Sequence, residues 1–240
     1  MTATFLALLL GHLVADFLLQ SGWMVRHKRR IDVLMMHAAL VLICTLVATG
    51  QLAHPTVIAV ALAHLLIDFV KVRLPRQGLR TFTLDQAAHL ATLVIATRLA
   101  PDLWATGIWA DTPEQVLSLM ALACGAILSI VVGGYVVGLL CAPYLAAVPD
   151  DGLPGAGRII GLLERGLIFI LVLTGQLGSI ALLIGAKSIL RFSTVAADRK
   201  ASEYVIIGTL ASFGWALVLA LATGGLLDLL PPLEIGALLP

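Results

Sequence analysis

Charged side chains are scarce in this chain: they make up 12% of 240 residues, against 60% hydrophobic. A water-soluble domain of this length needs a far more polar coat, so a soluble globular enzyme is excluded and a multi-pass membrane protein is expected. Fifteen Lys and Arg against fourteen Asp and Glu leave a formal net charge of +1. With no long basic tract, a nucleic-acid partner is excluded as well. Cysteine is nearly absent: Cys44, Cys124 and Cys141 stand apart in apolar stretches without a CxxC pair, so each reads as a buried free thiol rather than a disulfide or thiolate ligand. The start of the chain lacks a basic leader, and His12 and Asp16 interrupt its apolar run, so it reads as a retained first span. Phosphate-binding loops are also missing. GAGRIIG at 155–161 follows no strand, and Lys187 in AKS lacks the preceding glycine.

What is abundant is apolar sequence in lengths of about 20 residues, enough for a helix to cross a bilayer. Such spans fall near 2–20, 33–51, 54–72, 83–100, 116–146 and 204–230, with a less regular apolar stretch over 158–192. The expected fold is an all-α, polytopic transmembrane bundle with a tandem two-helix repeat in its N-terminal half and a helical hairpin near the C-terminus. Three regions follow: a four-helix domain at 1–100, an outer loop at 101–115, and a C-terminal region at 116–240 with a charged cytoplasmic face. Short basic loops stay in the cytoplasm. Arg26, Lys28, Arg29 and Arg30 follow the first span and Lys71, Arg73, Arg76 and Arg80 the third, which puts the N-terminus outside and Trp104 and Trp109 at the outer interface. One uninterrupted helix over 158–192 would carry Lys187, Arg191, Arg199 and Lys200 to the outer face. The breaks at Gly175, Gln176 and Gly178 favour a hairpin that dips in and returns.

Against this apolar background one polar pattern occurs twice. His12, Asp16 and His37 are followed, 52 positions later, by His64, Asp68 and His89. The fourth span adds Asp85 ahead of His89, reversing the order of the pair just as the chain reverses direction. All three acids then lie at one depth, with the paired imidazoles about one turn, ~5 Å, deeper. Ionisable groups inside a membrane are costly and mark functional sites. Carboxylate and imidazole together suit zinc, manganese or iron better than magnesium. The seven candidate ligands, His12, Asp16, His37, His64, Asp68, Asp85 and His89, exceed one tetrahedral shell, so either some orient the imidazoles or two ions bind. The repeat is imperfect, since Val33 occupies the place equivalent to Asp85. Gln20, Lys71 and Gln86 are candidate contacts for substrate or water. The competing explanation is structural: a lone intramembrane His or Asp often makes an interhelical hydrogen bond or pairs with a cation such as Lys71.

The segments GHLVADFLLQ at 11–20, His37, HLLIDFVK at 64–71 and DQAAH at 85–89 resemble bacterial membrane proteins of domain-of-unknown-function family 3307. GRIIGLLERGL at 157–167, GAKSILRF at 185–192 and EYVIIGTLASF at 203–213 extend the resemblance, which implies a bacterial inner-membrane location and no established reaction. The HxxxD pairs are also similar to those of membrane-bound metal-dependent hydrolases, although other ligands of a zinc-dependent phospholipase are missing. A second polar set comprises Arg158, Glu164, Arg165, Lys187, Arg191, Glu203 and Tyr204. It reads either as an interfacial salt-bridge network or as an anion site in which Arg158, Arg165 and Arg191 grip phosphate.

Three functions fit. The first is a metal-dependent hydrolase of a lipid or other amphiphilic ester or phosphoester, with Asp16 or Asp85 as general base and Lys71 beside them. The second is a metal-ion or proton transporter, and the third a scaffold with a buried polar network. The outer halves of the spans offer Thr45 and Thr92 but no acid or base, which disfavours conduction. Membrane lipids are the expected partners.

Overall fold

Backbone amides and carbonyls in lipid have no water to bond, so an apolar chain must satisfy them within its own helices. The computed structural model describes residues 1–75, 78–147, 153–195 and 199–233, with backbone alone at 146–147, 188–195 and 199. It is all-α, 80% helical, with no strand among the described residues. In order the helices are α1 (Thr2–Leu13, prolonged by a π-helical turn over Val14–Leu19), α2 (Gly22–His27), α3 (Ile31–Thr49), α4 (Pro55–Lys71) and α5 (Leu79–Leu99). Then come α6 (Gln115–Ala126, prolonged by a π-helical stretch over Ile127–Val132), α7 (Gly133–Cys141) with a 3-10 turn over Ala142–Ala147, α8 (Ala156–Leu173), α9 (Leu177–Val195) and α10 (Arg199–Leu227). The backbone forms two compact units, Met1–Cys124 with the segment from Leu230, and Gly125–Leu229.

In the first unit α1 packs on α3, α3 on α4, α4 on α5, and α5 back on α1, closing a four-helix ring. Gly11 sets the α1–α3 approach, because a Cβ there would stand 2.9 Å from the Cα of Thr45. Small residues allow such close crossings where apolar surroundings give helices little reason to associate. The α3 helix stops at Gly50, whose φ of +70° lets the Gln51 N–H reach the Leu46 carbonyl at 3.0 Å. Pro55 opens α4 at a position that needs no N–H donor, and the His54 ring accepts from the Thr56 N–H at 3.2 Å. The loop after α5 folds over this end of the ring. Thr4 donates to the Pro101 carbonyl at 2.7 Å, Gln51 to Leu103 at 2.6 Å, and the Trp109 indole to Val47 at 2.7 Å.

Among the described residues four helical stretches are long and apolar enough to cross a membrane: Thr2–Leu19, Ile31–Thr49, Gln115–Leu145 and Lys200–Leu227. By that measure this is a membrane protein. The sequence windows 54–72 and 83–100 do not reach the same standard. The α4 helix has 17 residues, and α5 carries Arg80, Asp85 and Arg98. Their outward residues are nonetheless apolar, Ile58, Leu62 and Leu66 on α4 and Leu84, Ile95 and Leu99 on α5, while His64, Asp68, Asp85 and His89 are buried. Polar inside and apolar outside is the arrangement of a helix facing lipid around a polar interior.

In the second unit α8 packs on α10 and on α9, with Ile168, Phe213 and Ala216 at the centre of its core. The interruption expected near 175 is a turn through Thr174–Gln176, with Gly175 at φ +71°. Lys187 pairs with Glu164 at 2.6 Å. Those two residues are equidistant along the chain from Gly175 and Gln176, as partners in a helical hairpin must be. The π-helical stretch over Ile127–Val132 loosens carbonyls from the regular ladder, and two side chains supply donors: Trp215 to Leu128 at 2.9 Å and Arg165 to Ile130 at 2.9 Å.

A branched side chain at Gly11 has only backbone to push against. Gly11→Val is expected to destabilise the protein by about 1–3 kcal/mol, read as a lowered thermal midpoint in detergent; an unchanged midpoint would show that the ring tolerates a wider α1–α3 spacing.

Candidate metal centre

The four-helix ring gathers both copies of the polar pattern. His12 and Asp16 come from α1 and its π turn, His37 from α3, His64 and Asp68 from α4, Asp85 and His89 from α5. All are sequestered: His37 is fully buried, and His12, His64, Asp68 and His89 are exposed by 3% or less. The pairs on α4 and α5 use ordinary α-helical spacing, which points residues four apart to one side. On α1 the π turn intervenes, so His12 Nδ1 and Asp16 Oδ2 stand 4.0 Å apart while Asp16 swings toward α3 and α4.

Two triangles of ligand atoms result. Asp16 Oδ1 lies 3.3 Å from His37 Nε2 and 3.4 Å from His64 Nε2, and the two nitrogens are 3.2 Å apart. Asp68 Oδ2 completes a second triangle on the same nitrogens, at 3.4 Å from His37 and 3.3 Å from His64. In a tetrahedral shell with bonds of about 2.0 Å, neighbouring ligands are ~3.3 Å apart. Each triangle therefore has the edges of one face of such a shell. Each Nε2 carries at most one hydrogen, so hydrogen bonding accounts for no more than two of these five contacts. The two triangles differ in charge. Lys28 Nζ sits 2.7 Å from Asp68 Oδ2, an ion pair that balances this acid, whereas among the described residues Asp16 is paired only with imidazoles.

Beside the triangles, Asp85 is held by Lys71 at 2.5 Å and by the Gln86 amide, which donates at 3.0 Å. His89 Nε2 is 3.5 Å from Asp85 Oδ1, and both atoms lack a hydrogen bond, as does Asp68 Oδ1. Asp68, Asp85 and His89 bring ligand atoms within 4.8 Å of one another, as do His12, His64 and His89. The His64 and His89 rings stack at 4.1 Å, with His12 5.1 Å from His89. Three imidazoles thus form one tier and the acids with their lysines the next. Beyond the imidazoles a void of about 10 Å³ touches Thr45 and Thr92, roughly the room of a single water. These buried His and Asp groups can hold a metal ion.

All seven expected ligands therefore converge. Lys71 and Gln86 join them through Asp85, and Gln86 Oε1 also lies 3.4 Å from His12 Nε2. Gln20 has a buried amide nitrogen with no hydrogen bond in this cluster. Arg158 and Arg165 belong to the second unit, and the Arg191 side chain lies outside the described residues. The sequence reading missed Lys28 as a member of the centre. It stands in the run HKRR, and nothing in that run separates it from Arg29 or Arg30, which remain exposed while Lys28 is 9% exposed.

Fold and centre together define an all-α membrane protein with a buried cluster of histidines and aspartates. Residues 4–110, which contain every residue of the cluster, match the family model described as "Protein of unknown function (DUF3307)", and over this segment the chain is similar to that family. The resembling segments 157–167, 185–192 and 203–213 lie beyond the match. No curated protein and no solved structure matches the chain.

Removing Lys28 would leave Asp68 buried without a cation. Lys28→Ala is expected to cost about 3–5 kcal/mol, whereas Arg26→Ala, at an exposed neighbour, is expected to cost less than about 0.5 kcal/mol. Equal thermal midpoints for the two variants in detergent would show that Lys28 contributes nothing to the balance.

Proposed function

We propose that this domain is a divalent-metal centre inside the bacterial cytoplasmic membrane, with zinc the favoured ion and manganese or iron the alternatives, that hydrolyses an ester or phosphoester of an amphiphilic molecule. The observation that carries the reading is the triangle of Asp16 Oδ1, His37 Nε2 and His64 Nε2, whose 3.2–3.4 Å sides suit tetrahedral coordination. Three protein ligands with a fourth position left for substrate or water are the usual complement of a catalytic zinc site, and Asp16, His37 and His64 would supply the three, with Asp68 held by Lys28 as an acid beside the same two nitrogens. When bound, the ion supplies Lewis acidity toward a carbonyl or phosphoryl oxygen.

The remaining roles belong to the chain. Asp85 Oδ1, buried and without a hydrogen bond, is the candidate acceptor of a proton from the attacking water. Lys71, with about a quarter of its side chain exposed, fixes the other Asp85 oxygen and lends positive charge to the rim, where an anionic headgroup would be attracted. His12 and Gln86 hold each other at 3.4 Å and shape the wall next to His89. The orientation with the basic loops in the cytoplasm puts this rim at the cytoplasmic surface. Hydrolysis is favoured over conduction because the hydroxyls beyond the imidazoles are already engaged. Thr45, Thr92 and Thr97 donate to carbonyls of their own helices at 2.7, 3.0 and 2.8 Å, so the single proton of each is committed and none is free to pass a proton onward.

Elemental analysis of detergent-purified protein tests the centre. Wild type is expected to hold one to two equivalents of zinc per chain, and His37→Ala or His64→Ala to lose the metal while remaining membrane-inserted. His12→Ala, which removes an imidazole from the adjoining tier, is expected to lower occupancy as well. Full occupancy in both the His37 and His64 variants, or no metal in wild type after reloading, would replace the centre with a polar packing network. Metal without turnover of any lipid ester or phosphoester would retain the site and remove the hydrolase.

A further inference from the structure

The second unit contains its own polar problem, independent of the metal centre. Arg165 on α8 is only 3% exposed. Its Nε donates to the Ile130 carbonyl at 2.9 Å and its Nη1 to the Ser212 hydroxyl at 3.1 Å, both neutral acceptors. Among the described residues no carboxylate lies within ion-pair distance of it. The adjacent acid, Glu164, is bound by Lys187 at 2.6 Å. A buried guanidinium without a carboxylate at ion-pair distance is expensive in an apolar unit, and a guanidinium has five N–H donors, of which two are used here.

The guanidinium also borders open space. A cavity of about 640 Å³ is lined by Arg165, Arg158, Lys187 and Glu164, with apolar walls from α7, α8 and α10. Two glycines keep room around the guanidinium nitrogens: a Cβ on Gly134 would stand 3.0 Å from Nη2, and one on Gly161 would stand 2.9 Å from Nη1. Among the described residues that line it, Lys187 and Glu164 balance each other, which leaves the two guanidinium groups of Arg158 and Arg165 as excess positive charge. It has the size of a small-molecule site. Its rim includes the exposed Arg158.

We propose that this cavity binds a phosphate anion, free or as the terminal monoester group of a lipid, with Arg165 as its buried counter-charge and Arg158 closing the rim. Guanidinium groups match phosphate oxygens through paired N–H donors, and the apolar walls accommodate an attached acyl chain. Two sources present this chemistry, a lipid with a phosphate-monoester headgroup and a free phosphate.

The test is calorimetric titration of the full chain in detergent with dihexanoyl phosphatidic acid, dihexanoyl phosphatidylcholine and inorganic phosphate. Phosphatidic acid is expected to bind at least about tenfold more tightly than phosphatidylcholine, with Arg165→Met abolishing binding and Arg158→Gln weakening it about three- to tenfold. Phosphate competing as well as the lipid assigns the site to a soluble anion, and lipid binding alone assigns it to a headgroup; both support the proposal. Arg158 is exposed, so its variant remains decisive even where Arg165→Met does not fold. Binding of the two lipids with equal affinity, unchanged in Arg158→Gln, would overturn the proposal, as would no binding of either anion to wild type. His64→Ala leaves the cavity intact and is expected to bind as wild type; loss of binding there would move the anion to the metal centre and overturn the assignment.

Discussion

Charge compensation in a low-dielectric interior is the constraint on which the rest of the N-terminal unit depends. Asp16, Asp68 and Asp85 are carried into the ring by helices whose outer faces are apolar, and an unpaired carboxylate there would carry a desolvation penalty of several kcal/mol. Lys28 meets Asp68 and Lys71 meets Asp85. Asp16 has no lysine; its neighbours are His12, His37 and His64. The negative pole of the ring is thus displaced to one acid surrounded by imidazoles, the place where a cation gains most and where the Asp16 triangle lies.

The two copies of the repeat solve this problem unequally. Asp68 is balanced by Lys28 at the end of α2, 40 residues away in sequence, while Asp85 is balanced by the last residue of α4. Val33, which stands where a second Asp85 would be, is packed in the core at 1% exposure. A symmetrical ring would hold a fourth acid and require a further counter-charge. The missing acid is therefore part of the balance, and the asymmetry gives the centre distinct sides: two nitrogens shared by both triangles, and a lysine on only one.

Much of this centre was legible in the chain because helical spacing is local. HxxxD on the first and third helices and DxxxH on the fourth say which residues share a face, and reversal of chain direction says they share a depth. What closes the ring is not local. Nothing in HKRR distinguishes the buried Lys28 from its exposed neighbours, because its burial depends on where α4 comes to rest. The hairpin was legible from Gly175, since a left-handed residue ends a helix wherever it occurs; the pairing of Glu164 with Lys187 follows from folding the two arms about that point. The apolar windows at 54–72 and 83–100 were legible as helices. The α4 helix falls short as a span by its length of 17 residues, and α5 by its polar residues, two of which, Asp85 and His89, belong to the centre.

The π turn over Val14–Leu19 gives α1 two phases. Before it, His12 follows the seam that packs against α3 and α5; within it, Asp16 is advanced around the axis toward α4. A π turn takes up the rotation of about one extra residue, ~100°, so loss of a single residue from this stretch would restore regular winding with His12 still on its seam, and would change only the angle at which Asp16 leaves the helix. Spacing along α1 is therefore a property separate from composition. A homologous domain with one residue fewer between 13 and 20 would be expected to keep its histidine on the same seam, on a helix that winds regularly to its end.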